Sequence, residues 1–283
     1  HENYLKLLIN RELEFFRHQI TSKDIIIDKE EIVNNIITNV KDNVSSSLVN
    51  IINGTGIVLH TGFGRAPFDG ERLKQIADKL DGYVNLEYDL INNHRGDRQK
   101  HINEHISSIC NVESSLIVNN NAAALLLTIN TLADDSEVIC SRGQIVEIGG
   151  SFRISEIIEK GGAILKEVGA TNRTHIDDYE SAITNKTKML LWVHTSNYIL
   201  KGYTKEVPLE EIVKLGKKYN IAVLADLGSG TFLSLDKFGV PSEKPLIEIV
   251  KKDPDIIIFS GDKMLGGPQS GIILGSKDIT NQI

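Results

Sequence analysis

Beyond residue 110 the chain alternates short apolar runs with longer stretches of mixed polarity. The runs lie at 115–118, 137–141, 163–168, 189–194, 221–226, 255–260 and 271–274. Each is strand-length and nearly all apolar instead of alternating, the pattern of a strand buried on both faces. Amphipathic stretches separate most of them, so helices are expected to cover a mainly parallel sheet on both sides, an α/β class. Nearer the start, Leu5, Leu8, Leu13 and Phe16 sit near helical spacing, and a second amphipathic stretch runs over 31–40. The first forty residues therefore read as mostly helical. Between 53 and 67, glycines and polar residues surround the apolar triplet Ile57, Val58 and Leu59. That texture predicts an ordered loop that comes close to another backbone.

Length and composition bound this picture. At about 150 residues per domain, 283 residues make one large domain or two modest ones. A chain that is 41% hydrophobic and 24% charged folds as a globule and is neither disordered nor of low complexity. Its apolar runs fall far short of the roughly 20 residues of a membrane span, so no membrane association is expected. Cys110 and Cys140 are too few for a disulfide framework and fit no metal-cluster spacing. The first twenty residues interleave charged and apolar positions where a signal peptide is continuously apolar, so a cytoplasmic home is expected. Lys and Arg number 31 against 38 Asp and Glu, a net of -7, which offers no general attraction for a polyanion. A nucleic-acid partner would need a local patch or a domain outside this chain. The opening His1, where a complete gene product starts with Met, suggests an excised piece.

In an open α/β sheet, ligands bind beyond the carboxyl ends of the strands. After the run at 115–118 come Asn119, Asn120, Asn121 and Ala122, opening a helix whose free N–H groups suit a phosphate. After 221–225 comes Asp226, followed by Gly228, Ser229 and Gly230; after 256–259 come Ser260, Gly261, Asp262 and Lys263. A phosphate cup, a strand-end acid and a strand-end lysine are what pyridoxal 5'-phosphate needs. The acid keeps the pyridine nitrogen protonated so that the ring accepts electrons, and the lysine forms the Schiff base. The spacing from Asp226 to Lys263 leaves room for a helix and a strand. Each residue also has a plainer reading: a strand-end Asp caps helices, a Lys is solvated, and an Asn–Ala run starts a helix.

Longer motifs narrow the choice. In order they are NGTGIVLHTGFGRAP (53–67), NLEYDL (85–90), RGDR (95–98), VNNNAAA (118–124), SRGQIVEIGGSFRI (141–154), VGATNRTH (168–175), VHTSN (193–197), DLGSG (226–230) and FSGDKMLGGPQ (259–269). Through these blocks the chain, from about Leu48 onward, resembles the bacterial selenocysteine synthases, L-seryl-tRNA(Sec) selenium transferases with the three-layer fold of type I pyridoxal phosphate enzymes. The resemblance implies that Lys263 holds the cofactor and that Asp226 partners its pyridine nitrogen. It implies that Asn119, Asn120, Asn121 and Ala122 hold the phosphate, with Ser260 in reach of it and Gln144 against the ring face. Arg65 matches an arginine that helps bind the anionic selenium donor, and Asp262 an acid beside the lysine that activity needs. Arg95 and Arg98 are implied to contact substrate, although Asp97 and Gln99 stand where the family usually has Ser and Tyr.

The implied reaction converts seryl-tRNA(Sec) to selenocysteinyl-tRNA(Sec) with selenophosphate, through a dehydroalanyl intermediate. The implied partners are those two substrates and further copies of the chain, in a dimer-based ring that is a decamer in the family. The implied organisation is a helical segment over 1–50, a partial amino-terminal module, and a cofactor-binding core over 51–283 that ends before the family's carboxyl-terminal small domain. Other readings stay open. His101-Ile-Asn-Glu-His105 fits the H-x-x-E-H pattern of zinc peptidases, or an exposed amphipathic helix. A related pyridoxal phosphate lyase for a small phosphorylated amino or amino sugar acid would share the lysine and the phosphate cup. An inactive fragment would retain only an assembly surface. His60 and His194 read equally as site groups or as hydrogen-bonded core histidines, and Arg142 and Arg153 as phosphate contacts or ion-pair partners.

Overall fold

A computed structural model describes residues 2–23, 28–148, 152–239 and 244–283. Gly149, Gly150 and Ser151 of the SRGQIVEIGGSFRI block lie outside the described residues. The chain divides into two compact units, His1–Gly56 and Ile57–Ile283.

The first unit contains helices α1 (Glu2–Lys23) and α2 (Lys29–Val44), both longer than the apolar spacing predicted. End chemistry accounts for α2. Asp28 caps it by accepting from Glu30 N, Glu30 and Glu31 occupy the positive first turn, and Lys41 the negative last turn. Leu8 and Phe16 of α1 are buried, and Asn39 Nδ2 donates to Glu12 Oε2 at 2.8 Å, joining α2 to α1.

The second unit is built on a seven-stranded sheet whose strands, in chain order, are β1 (Ser114–Val118), β2 (Glu137–Ser141), β3 (Ile164–Val168), β4 (Thr187–Val193), β5 (Ala222–Asp226), β6 (Ile256–Ser260) and β7 (Gly271–Gly275). In space they lie in the order β1-β7-β6-β5-β4-β2-β3. All seven apolar runs are in this sheet. From β3 to β6 every neighbouring pair is parallel, whereas β7 runs antiparallel to both β6 and β1. An apolar run carries no direction, so the reversal of β7 was not legible in the pattern.

The helices of this unit are α3 (Gly70–Leu80), α4 (Asn103–Cys110), α5 (Asn121–Ala133), α6 (Ile154–Lys160), α7 (Ile176–Ala182), α8 (Leu209–Tyr219), α9 (Leu246–Val250) and α10 (Lys277–Gln282). Strand residues alternate between two cores because successive side chains point to opposite faces. Leu190, Val223, Ile257, Phe259 and Ile272 join one core, with Tyr179 from α7 and Leu209 and Ile212 from α8. Met189, Leu191, Leu224, Ile258 and Ile273 join the other, with Leu125 and Ile129 from α5 and Ile154 and Ile158 from α6. Helices α4, α7, α8 and α9 contribute to the first core and α5, α6 and α10 to the second, so the sheet is the middle of three layers. Burying each large aliphatic side chain stabilises the layers by about 1.5–3 kcal/mol relative to leaving it in water.

The register of β7 brings two loops together. Gly271 pairs with Val118 on one side and Ser260 on the other, so the loops after β1 and β6 meet at the carboxyl ends of these strands. A Cβ on Gly271 would lie 2.2 Å from Asn120 O, so only glycine lets β7 pass under the turn into α5.

Candidate functional site

There a cavity of about 570 Å³ opens beyond the ends of β1, β4, β5 and β6. Its walls include Asn120, Asn121, Ala122, Asp226, Ser260 and Lys263, together with Arg65 from the loop before α3. The strand-end rule therefore gathers residues from four separate segments into one hollow.

Asp226 ends β5 and is 1% exposed. Asn121 Nδ2 donates to its Oδ1 at 2.8 Å and Gly228 N to the same oxygen at 2.9 Å. Gly228 has a φ of 64°, a left-handed value that glycine adopts without strain and that turns the chain away directly after this donor. Burial pushes the Asp226 carboxyl above its ordinary pKa, while Asn121, Gly228 N, Lys263 and His194 pull the other way.

The turn after β1 is a helix start. Asn120 caps α5, its side chain accepting from Ala123 N at 2.8 Å and its carbonyl from Ala124 N at 3.0 Å. Among the described residues the backbone N–H groups of Asn121 and Ala122 have no acceptor, the arrangement that binds an anion at the positive end of a helix.

Lys263 lies in the turn after β6. Gly261 N donates to Ser270 O, Gly267 N to Gly261 O and Gly266 N to Lys263 O, at 2.9–3.0 Å, which folds this turn back on itself. Beside the lysine, Asp262 is nearly buried; its Oδ1 accepts from Ser260 Oγ at 2.9 Å and its Oδ2 from Arg65 Nη1 at 2.6 Å. Ala66 N donates to Asp262 O at 3.3 Å, the close backbone approach expected of the loop before Pro67.

Not every residue singled out in the sequence reaches the cavity. Asn119 is exposed and outside its lining. Gln144 is buried, but its amide is occupied: Nε2 donates to Glu206 Oε1 at 2.8 Å and Oε1 accepts from Val193 N at 3.1 Å. Arg95 and Arg98 both bond Glu87 on the surface, where Arg98 first and Arg95 second hold the Glu87 carboxyl below its usual pKa. His194, which the sequence left evenly between a site group and a core histidine, lines the cavity; so do Ser196 and Asn197, which were not singled out as site residues although they follow a strand end like the others.

His101 and His105 do not share a helix. His101 sits in a 3-10 turn (Arg98–His101) with its Nε2 3.1 Å from the carbonyl oxygens of Asn85 and Leu86, and His105 lies in α4. Among the described residues no group of three or more His, Cys, Asp or Glu is arranged to hold a metal ion.

The cavity thus combines an anion cup, a buried acid with donors on one oxygen, and a primary amine. That donor set fits a flat heteroaromatic phosphate such as pyridoxal 5'-phosphate, and the buried Asn121 Oδ1, which has no partner among the described residues, marks a wall short of one hydrogen bond.

Comparison with known proteins gives concordant results. A family model described as "SelA: L-seryl-tRNA selenium transferase" matches residues 51–283. A protein named L-seryl-tRNA(Sec) selenium transferase from Caldanaerobacter subterraneus subsp. tengcongensis is 47% identical over 274 residues, 96% of this chain and 59% of that protein. One of the same name from Alkaliphilus oremlandii is 46% identical over 92% of this chain and 56% of its own length. The chain therefore spans somewhat under three fifths of the length of these curated relatives. Among solved structures, a D-glucosaminate-6-phosphate ammonia-lyase superposes with a TM-score of 0.62 at 22% identity, covering 78% of this chain and 57% of the other. Sphingomonas wittichii serine palmitoyltransferase superposes with a TM-score of 0.54 at 16% identity, over 80% of this chain and 53% of the other. At such identities the likeness is one of fold, and it bears out the α/β class expected from the sequence.

Proposed function

The chain belongs to the L-seryl-tRNA selenium transferase family, and on that premise we propose that residues 51–283 are the cofactor-binding core of an enzyme that converts seryl-tRNA(Sec) to selenocysteinyl-tRNA(Sec) with selenophosphate. The observation that carries this reading is the buried Asp226 carboxyl in one cavity with Lys263 and the open amides of α5.

In this reading pyridoxal 5'-phosphate, when bound, supplies an electron sink for negative charge at the serine α-carbon. The amides of Asn121 and Ala122, with Asn120 and Ser260 beside them, hold its phosphate, and Asn119 extends that turn. Asp226, ionised, keeps the pyridine nitrogen protonated, and the low dielectric of its buried position strengthens the pair. Lys263 Nζ would hold the cofactor and, as a free amine, would take the serine α-proton and return one to the same carbon. Gln144 braces the end of β4 through Val193 N. Arg65, steadied by Asp262, presents planar paired donors to the selenophosphate anion. Arg95 and Arg98, exposed around Glu87, are assigned to anionic groups of the substrates, tRNA phosphates included.

Residues 1–50 are assigned as a separate helical segment outside this core. Assembly with further copies, in a dimer-based ring such as the family's decamer, is supported by α3. Leu73, Ile76 and Leu80 share one face of that helix, and each is about half exposed. A cytoplasmic location is proposed with it; among the described residues no helix is long and apolar enough to cross a membrane.

The test is to incubate the chain with pyridoxal 5'-phosphate, reduce with borohydride and map the modified peptide by mass. Label on Lys263 that disappears in Lys263→Ala is the expected result. Absence of label on Lys263 in the parent chain would overturn the reading.

A further inference from the structure

We infer that the Asn121 side chain is a positioning residue for Asp226, a role separate from that of its backbone in the phosphate turn; the inference rests on the proposed cofactor site. Asn121 is the first residue of α5, where no helix-start requirement accounts for its side chain. The cap is already provided by Asn120, whose side chain takes Ala123 N. Alanine would suit the helix better than asparagine at a buried position. The Asn121 amide instead turns inward, 8% exposed, and reaches a carboxyl group 105 residues further along the chain.

Its Nδ2 and Gly228 N both donate to Asp226 Oδ1, so among the described residues Oδ2 is the oxygen left for a donor inside the cavity. Two donors on one oxygen fix the plane of the carboxyl group and favour its ionised form, against the burial that favours the neutral one. The bond has a cost on the other side of the amide: Asn121 Oδ1 is buried without a partner among the described residues. An amide retained at that cost, on a helix that does not need it, is explained by the service it renders to Asp226. An ionised, correctly turned Oδ2 is what keeps a pyridine nitrogen protonated.

The test compares the full chain with Asn121→Ala and with Asn121→Leu, which is close to asparagine in size and lacks the donor. Folding is checked by circular dichroism and melting. Pyridoxal 5'-phosphate affinity is measured by titration, and protonation of the ring nitrogen by nitrogen-15 resonance of labelled cofactor on the protein. Both variants are expected to fold, to bind the cofactor about tenfold more weakly, and to move the ring-nitrogen resonance toward its unprotonated position at neutral pH. If the parent chain binds and the variants match it in both affinity and resonance, the role is overturned while the cofactor reading stands. Weaker binding with an unmoved resonance makes the bond a structural tie only, which also overturns it. If the parent chain itself does not bind, the cofactor reading fails and the role falls with it.

Discussion

Arg65 Nη1 lies 2.6 Å from Asp262 Oδ2, an ion pair that joins residues 197 positions apart in sequence. The backbone repeats the tie through Ala66 N and Asp262 O, so the loop that carries Arg65 is fastened to the residue next to Lys263. Arg65 itself has a φ of 66°, a left-handed value that costs a non-glycine residue free energy and persists only where its surroundings hold it. The guanidinium is thereby poised at the cavity with a carboxylate steadying one end and, among the described residues, no side-chain partner but Asp262.

In the proposed reaction, replacing Arg65 by Ala is expected to raise the KM for selenophosphate by roughly tenfold to a hundredfold, the worth of a charge-assisted contact. Capture of the cofactor by Lys263 should survive. Steady-state kinetics with varied selenophosphate decide the matter, and an unchanged dependence would remove Arg65 from donor binding.

Asp226 should reveal a trade between stability and function. Because burial raises its pKa, the unfolded chain gives up this proton before the folded chain does as pH rises. The carboxylate therefore costs stability increasingly from the ordinary carboxylate range upward, and the full cost is present once pH exceeds the raised value. Asp226→Asn removes it. The cofactor-free variant is expected to melt higher than the parent near pH 7, on the order of a few degrees, with the gap closing below about pH 4. Its cofactor capture should fall at the same time. Melting curves across pH that show the variant no more stable at neutral pH would count against the assigned cost.

Glu87 occupies both Arg95 and Arg98 on the surface. Glu87→Gln releases two guanidinium groups, so on the proposed function binding of seryl-tRNA should tighten and its salt dependence steepen by up to about two ion-release equivalents. Affinities measured over a series of salt concentrations give the slope. A slope identical to that of the parent would mean that these arginines do not meet tRNA.

Much of the fold was legible in the chain. Ile256 to Phe259 and Met189 to Val193 are apolar at every position because both faces of their strands are covered, so strand locations and the α/β class followed from pattern alone. Lys263, Asp226 and Asn120 were legible for a related reason: polar residues directly after buried strands stand where such folds bind ligands. The H-x-x-E-H spacing was legible too, but Ile102 breaks the helix between the two histidines, and spacing says nothing about such a break.

The tertiary structure decided the rest. It turned β7 against its neighbours, brought Asn121 to Asp226 and Arg65 to Asp262, engaged Gln144 with Glu206 and Val193, and gathered Arg95 and Arg98 on Glu87. The division has a physical cause. Burial acts locally, through the period of apolar positions, and so is written into each short stretch of sequence. A hydrogen bond or ion pair between remote segments depends on where chain reversals carry them, and that is set only when the layers pack.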